Sequence, residues 1–488
     1  MPRLSLPGLW AFLAIALPVL GTLIAGLSAV DLAYNVRAGD EILAARALPS
    51  VDTWTFTAAG SAWLDQQWGA QAVLAAAYGL AGWTGLVLLR VALIAAMFAA
   101  VFGAARAAGL DLRRAAWLTL ASFAVVAGAL ALRPQLFGMT LFALVLWIVA
   151  RRRSNPGRVW LVPLIVAVWA NLHGSFFLGP VLLGLAWLQD LEQRVPDRHR
   201  MLRIAAVSMA ASLANPFGLE VWRYAVGLST NAFVTSRITE WQPTSLRSVD
   251  GALFFGSLAL VGLLIARRGR PVAWSTLAAI GVFAAIGVYA IRGIAWWGLA
   301  GSVAAAALLA GQPDGGGPKR GPEDANERPT RRSDRPTALN TIVAVVIALA
   351  CVALLPAWRP VDPRVGAPRN LVTDAPPGVT AALAAAVAPG TRVLNPQPWG
   401  SWFELAVPAA AMAIDSRIEV FPASVWADYE RVRSGGDGWQ STLASWAVDL
   451  VVVGHAETAL RDRLMGAGWT VTFEDADGAI LRKPGAGS

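Results

Sequence analysis

Cysteine and histidine are nearly absent from the sequence, which has one cysteine and three histidines. A single cysteine cannot form a disulfide within the chain, and so few residues cannot build the Cys/His clusters that hold zinc. We therefore expect neither a disulfide scaffold nor a zinc centre. No cofactor is predicted, and a divalent metal held by carboxylates stays an open alternative.

Charged residues are also scarce, at 15% of the chain against 56% hydrophobic residues. Soluble domains carry about 25% charged residues, so a soluble fold is excluded. The apolar residues form runs of about 17 to 22, which is the length of a membrane-crossing helix. The sequence predicts a polytopic α-helical membrane protein with about 11 transmembrane helices. The predicted spans lie near residues 8–28, 84–105, 115–132, 136–150, 159–172, 175–189, 202–214, 251–266, 272–290, 294–310 and 339–357.

The net charge of +9 sits mainly in short loops between the apolar runs. This arrangement indicates topology rather than nucleic-acid binding, because Lys and Arg concentrate in cytoplasmic loops. We predict a multi-pass protein of the inner (plasma) membrane with a cytoplasmic N-terminus, membrane lipid as a partner and no nucleic acid. The expected cytoplasmic clusters lie at residues 106–114, 151–153, 194–200 and 267–270.

The expected domain organisation follows from this topology. Gln67 to Leu80 is too short for a span and is interpreted as an interfacial helix on the outer face, the alternative being a further span. The tail has the composition of a soluble domain, with short β-branched runs alternating with helical segments. The expected parts are a transmembrane module (1–310) with outer loops 29–83 and 215–249, a disordered cytoplasmic linker (311–338), a last transmembrane helix (339–357) and a small extracytoplasmic α/β domain (358–488).

Asp31 comes directly after the first predicted span. A carboxylate at such a position is partly shielded from water, which raises its pKa and suits a general base. The alternative is an acid solvated among lipid headgroups. Tyr34, Asp52, Asp65 and Gln66 share the same outer loop and are predicted to contact substrate.

Three features of this region together resemble a known family. Asp31-x-x-Tyr34, the interfacial helix reaching Gly82 and the run Leu88-Leu89-Arg90 resemble the first loop of GT-C glycosyltransferases. The resemblance is to the branch of protein O-mannosyltransferases and lipid A aminoarabinose transferases. The resemblance is specific only over roughly residues 8–150.

The chain departs from that family at two places. Leu32 stands where a second acid often follows the first, and Asp65-Gln66-Gln67-Trp68 replaces a Lys-Pro-Pro-like segment. The run Asn171-Leu172-His173-Gly174 is also similar to a motif of other bacterial membrane proteins.

The resemblance implies a polyprenyl-phosphate sugar as donor and an extracytoplasmic glycan, lipid or protein as acceptor. Asp31 would then deprotonate the acceptor, and the anomeric configuration would invert. Arg90 is expected to grip the lipid phosphate, since a guanidinium fits phosphate oxygens. Its alternative role is to reach the headgroups.

Four further residues lie at outer turns and are predicted to contact substrate: Arg133, His173, Glu240 and Arg292. The arginines suit phosphate or sugar, and their alternative is a headgroup anchor. His173 could orient the base or the phosphate, or simply bond to a helix end. Glu240 lies in a long, structureless outer loop and would supply the second acid that is missing at Leu32. The alternative is that this loop is a membrane-anchored surface segment.

Asp415 and Arg417 follow a predicted strand, where α/β domains often bind ligands. They are interpreted as an ion pair that packs the domain onto the spans, with ligand binding as the alternative. Two other functions stay open for the whole chain. One is a transporter or flippase of a lipid-linked substrate, and the other is a non-catalytic assembly protein of the envelope.

Overall fold

The computed structural model describes residues 3–310 and 336–485, and most of them are helical. Within these ranges, six helical segments are long and apolar enough to cross a membrane. The predicted polytopic helical architecture is therefore confirmed, while the count of eleven spans stays a prediction. The expected linker falls almost wholly on residues 311–335, outside the described ranges. The six segments are Leu6–Ile24, Trp68–Ala107, Leu112–Ala129, Gly174–Glu192, Val249–Ala266 and Ile291–Ala310.

The helices up to residue 353 form a bundle around one apolar core. Local hydrogen bonds fix the first residues of several helices. Ser5 accepts a hydrogen bond from the Gly8 N–H at the first helix, and Asp111 caps the fourth helix in the same way. The helices are α1 (Leu6–Ile24), α2 (Ala29–Ala45), α3 (Trp68–Ala107), α4 (Leu112–Val126), α5 (Pro134–Ala150), α6 (Val162–Ala170), α7 (Leu178–Glu192), α8 (Arg200–Ala211), α9 (Glu220–Thr230), α10 (Ala232–Arg237), α11 (Val249–Ala266), α12 (Trp274–Tyr289), α13 (Ile294–Ala310) and α14 (Ala338–Ala353).

A kink divides α3 into two arms. Ala81 and Gly82 leave the helical conformation, and Gly82 has φ +56° and ψ −142°, a region that essentially only glycine adopts. The arm before the kink coincides with the predicted interfacial helix, and the arm after it coincides with the predicted second span. The glycine thus lets one continuous helical stretch change direction.

The first span ends earlier than expected. The structure ends α1 at Ile24 instead of residue 28, because the Leu27 N–H donates to the Leu371 carbonyl at 2.7 Å and draws the chain out of the helix. Asp31 consequently lies in the first turn of a second helix, α2. Gly39 lets α2 pack closely on α3, since a Cβ there would stand 2.1 Å from the Gln71 carbonyl oxygen.

The chain from residue 361 onwards forms an α/β region around a mixed sheet. Three parallel strands form one side of the sheet and a C-terminal hairpin adds two antiparallel strands on the other side, giving the order β6-β5-β7-β9-β8 within the described residues. The strands are β1 (Leu27–Ser28), β2 (Val361–Asp362), β3 (Ala367–Pro368), β4 (Val372–Thr373), β5 (Thr391–Leu394), β6 (Ala410–Met412), β7 (Leu450–Gly454), β8 (Thr470–Glu474) and β9 (Gly478–Arg482). Its helices are α15 (Pro377–Ala386), α16 (Gln397–Ala406), α17 (Ala423–Ser434), α18 (Trp439–Ser445) and α19 (Thr458–Gly466).

The α/β region docks on the segment between α1 and α3. Strand β1 pairs in parallel with β4, and the Phe56 N–H donates to the Met412 carbonyl at 3.1 Å at the edge of the sheet. The Ser416 hydroxyl donates to the Val30 carbonyl at 2.7 Å, next to Asp31. These contacts cover a sheet edge and place residues 416–419 over the start of α2.

The segment 215–249 differs from the expected structureless loop. It folds into α9, α10 and a 3-10 turn at Thr239–Trp241. The Asn215 side chain accepts from the Phe217 N–H, and Gln242 donates to the Thr235 carbonyl, so local hydrogen bonds hold the segment in shape. Glu240 is therefore presented from a defined turn.

Candidate functional site

A cavity of about 870 Å³ lies where the helix ends of the bundle meet the α/β region. Its walls come from the start of α2, the N-terminal ends of α5 and α7, the C-terminal end of α12, the segment from α9 to the 3-10 turn at Thr239–Trp241, and residues 416–419. Seven of the predicted site residues line it. They are Asp31, Tyr34, Gln66, Arg133, His173, Glu240 and Arg292.

Asp31 projects from the first turn of α2, where the amide dipoles of a helix favour a negative charge. Its Oδ2 lies 3.4 Å from Nη1 of Arg133, and about a third of the side chain (35%) is exposed. Burial nevertheless raises the pKa of Asp31, and the charge of Arg133 offsets part of this effect. A carboxylate of this kind is accessible, oriented and more basic than an ordinary aspartate.

Two arginines share one carboxylate beside Asp31. Arg133 Nη1 lies 2.5 Å from Oε1 of Glu240, and Arg292 Nη2 lies 3.6 Å from Oε2 of the same group. Arg133 stands just before Pro134 at the start of α5, and the Arg292 guanidinium stacks on Trp241 at 4.4 Å. The two arginines form a cationic site, and the Glu240 carboxylate occupies the position of an anionic ligand in it.

His173 is held as a neutral donor. The Ser175 N–H donates to its Nδ1 at 3.2 Å, so this nitrogen carries no proton. The Ser175 hydroxyl accepts from Trp169 Nε1 at 3.2 Å and lies 2.7 Å from Nδ1, to which it donates. Burial, helped by the nearby Arg292 and Arg133, lowers the pKa of His173 to about 3. The remaining proton is on Nε2, which makes His173 a hydrogen-bond donor rather than a titrating base.

A third carboxylate, Glu419, faces the cavity from the α/β region. Glu419 accepts a hydrogen bond from the Tyr224 hydroxyl at 3.2 Å, and both line the cavity together with Tyr34. Burial by the surrounding protein raises the pKa of Glu419 and that of Tyr34. The sequence shows Glu419 next to the conspicuous Asp415 and Arg417, but only docking of the α/β region reveals that it faces the cavity.

Three predicted site residues lie elsewhere. Arg90 does not line the cavity: its guanidinium donates to the carbonyls of Leu130 (2.9 Å) and Gly26 (3.0 Å) and so ties α3 to the end of α1. Asp65 is buried and accepts from Gln71 Nε2 at 2.8 Å. Burial raises the pKa of Asp65 to about 7.

The third, Asp52, belongs to a buried ion cluster beneath the cavity. Arg417 lies 2.6 Å from Asp52 and 2.5 Å from Asp415, and these side chains are at most 1% exposed. The same guanidinium lies between the rings of Trp54 and Trp63, at 4.1 and 4.5 Å. This arrangement has the form of the expected ion pair, and it fastens the α/β region to the first loop.

Glu404 is a further, fully buried acid beside this cluster. Burial, with the nearby charge of Asp415, raises the pKa of Glu404 well above its ordinary value. Among residues 3–310 and 336–485, no group of three or more His, Cys, Asp or Glu side chains is arranged to hold a metal ion.

The fold is similar to that of solved archaeal membrane proteins. The archaeal oligosaccharyltransferase AglB from Archaeoglobus fulgidus, in complex with an inhibitory peptide and a dolichol-phosphate, superposes with a TM-score of 0.56 at 12% identity, over 91% of this chain and 69% of that one. The apo form of the same enzyme gives 0.54 at 13% identity, with the same coverage. ArnT from Cupriavidus metallidurans gives 0.40 at 12% identity over 96% of both chains. No protein-family model and no curated protein matches the chain.

At these identities the likeness to the oligosaccharyltransferase concerns the fold. The shared fold agrees with the architecture that the resemblance of this chain to GT-C glycosyltransferases predicted.

Proposed function

We propose that this protein is a membrane glycosyltransferase that moves a sugar from a polyprenyl-phosphate donor to an extracytoplasmic acceptor with inversion at the anomeric carbon. One observation carries the proposal: an accessible carboxylate, Asp31, stands 3.4 Å from Arg133, which shares Glu240 with Arg292, inside a cavity at the ends of the membrane helices. The dolichol-phosphate bound to the structurally similar oligosaccharyltransferase fits the same donor class.

In this proposal Asp31 is the general base. It takes the proton from the acceptor nucleophile as that atom bonds to the anomeric carbon, on the side opposite the leaving group. The bond between the anomeric carbon and the phosphate oxygen breaks, and its electron pair stays on the polyprenyl phosphate. The raised pKa of Asp31 makes the carboxylate a stronger base, and Arg133 holds it in place.

The leaving phosphate binds Arg133 and Arg292. Charge develops on its oxygens as the bond breaks, and two fixed guanidinium groups stabilise that charge without reorganising. Glu240 bridges the two arginines and has to move aside for the phosphate. Neutral His173 adds a hydrogen-bond donor to the same wall without adding charge.

The donor reaches this site from the bilayer. Ala285 and Ile286 of α12 and Leu178 of α7 give the cavity an apolar side where the first isoprenoid units pack. The excess of arginine in the loops at the opposite helix ends supports an extracytoplasmic position of the cavity. The orientation is tested by labelling cysteines placed one at a time in each loop of a Cys351→Ser protein.

The function is tested by turnover of a labelled polyprenyl-phosphate monosaccharide in proteoliposomes. Asp31→Asn should lower the rate by about 10²- to 10⁴-fold, the usual contribution of a general base. Asp40→Asn is the matched control, because Asp40 lies on the same helix but is exposed and outside the cavity. Equal rates for the wild type and Asp31→Asn would remove the proposal, and binding of donor without turnover by the wild type would favour a carrier of lipid-linked sugars.

A further inference from the structure

The cavity has two chemically distinct walls. Arg133 and Arg292 form the first, and Tyr34, Tyr224 and Glu419 form the second. In the described part of the chain, no arginine, lysine or histidine forms a salt bridge with Glu419, which accepts a hydrogen bond from the Tyr224 hydroxyl at 3.2 Å. The second wall therefore carries an acceptor of hydrogen bonds that is not neutralised by a cation.

Asp31 stands between these walls. It contacts Arg133 on one side and precedes Tyr34 by three residues on α2, so the two side chains lie on one face of that helix. A donor phosphate on the arginines would leave the second wall for the other reactant. The base would then be next to the atom that it deprotonates.

Two further groups lack hydrogen-bond donors. The side-chain oxygens of Gln66 and Gln135 are buried and have no partner among the described residues, and both glutamines line the cavity. Buried oxygens of this kind are usually satisfied, so each one calls for a donor from a ligand. Together with Glu419 they add acceptors of hydrogen bonds to the cavity.

Building on the proposed function, we infer that Tyr34, Tyr224 and Glu419 form the acceptor subsite, and that it selects a neutral or cationic acceptor bearing hydroxyl or amino groups. Hydroxyl and ammonium groups donate to the Glu419 carboxylate, whereas a phosphate or carboxylate on the acceptor is repelled by it. The α/β region thus decides which acceptor meets the base.

The ion cluster beneath the cavity gives Glu419 its position. Arg417 lies two residues before Glu419 and is fixed by Asp52 and Asp415. Ser416 donates to the Val30 carbonyl in the segment that leads to Asp31. The same contacts that dock the α/β region therefore set the distance between the base and the acceptor wall.

The test compares three acceptors that share one scaffold: methyl glucoside, methyl glucosaminide and methyl glucuronide, which are neutral, cationic and anionic. The full-length protein in nanodiscs is supplied with a panel of labelled polyprenyl-phosphate monosaccharides, and both transfer and hydrolysis of the donor are measured. The wild type should use the neutral and cationic acceptors at least about tenfold more efficiently than the anionic one, in kcat/KM.

Glu419→Gln should raise the KM for the cationic acceptor about tenfold and abolish the discrimination against the anionic acceptor. Tyr224→Phe should also raise the KM for the cationic acceptor and weaken the discrimination against the anionic one, but by less. This second variant keeps the test valid if Glu419→Gln folds poorly. Asp437→Asn is the control, because Asp437 is exposed in the α/β region and outside the cavity, and it should behave as the wild type.

The outcomes separate the two proposals. If the donor is consumed, four results overturn the acceptor subsite alone. They are equal use of the three acceptors, preference for the anionic one, transfer to none of them, and unchanged selectivity in Glu419→Gln and Tyr224→Phe. No consumption of any donor, by transfer or hydrolysis, overturns the proposed function and the subsite with it.

Discussion

Replacing Arg417 by methionine should detach the α/β region from the first loop. The change removes the partner of two carboxylates, Asp52 and Asp415, that are at most 1% exposed. Removing one member of such a buried pair costs about 3–5 kcal/mol. The guanidinium also stacks on Trp54 and Trp63, at about 0.5–2 kcal/mol for each contact, although these terms do not simply add.

A loss of about 4 kcal/mol corresponds to a roughly 10³-fold rise in the open population of this interface. Hydrogen–deuterium exchange of peptides covering residues 50–66 and 410–420 measures that population. Arg431→Met is the control, because its ion pair with Asp428 is more than a third exposed on both sides and should contribute at most about 1 kcal/mol. Exchange in Arg417→Met that matches the wild type or this control would refute the assigned role of the cluster.

Three further results are expected at the cavity. Arg133→Ala and Arg292→Ala should each weaken binding of polyprenyl phosphate about ten- to a hundredfold in equilibrium titrations, since a hydrogen bond to a charged group is worth about 1.5–3 kcal/mol. Glu240→Gln should strengthen that binding about tenfold by removing the carboxylate that competes with the phosphate, and weaker binding in the same titration would contradict this. The pH profile of kcat/KM should fall towards acid through the raised pKa of Asp31, above its ordinary 3.8, as the base becomes protonated. His173 should add no inflection near neutral pH because its pKa is lowered to about 3, and an inflection lost in His173→Gln would contradict its neutral state.

Hydropathy and loop charge located the bundle and the ends of its helices. For this reason the residues at helix ends, such as Arg133, His173 and Arg292, could be named before their geometry was known. Their convergence on one cavity follows from the packing of distant helices, which periodicity does not encode.

The residues whose placement was not foreseen depend on tertiary contacts. Arg90 lies inside a predicted span, and its depth there does not tell whether it faces lipid, a phosphate or the carbonyls of Leu130 and Gly26. Asp52 meets Arg417 at a sequence separation of 365 residues. Glu419 joins the cavity only because the α/β region docks over α2. Local sequence patterns carry no information on contacts of this range.

The predicted end of the first span is wrong for a related reason. The apolar run continues through residues 25–28, so hydropathy extends the first span to residue 28, shortly before Asp31. The helix ends at Ile24 because Leu27 bonds to Leu371, far along the chain. The catalytic candidate therefore sits on a helix of its own, whose direction differs from what a simple span end would give.

The most direct test of the account is a structure of the full-length protein with polyprenyl phosphate bound. The phosphate should lie within salt-bridge distance of both Arg133 and Arg292 and beside Asp31, with Glu240 displaced from the two guanidinium groups. A phosphate bound at Arg90 or at the membrane surface, with the cavity empty and Glu240 still bridging the arginines, would contradict it.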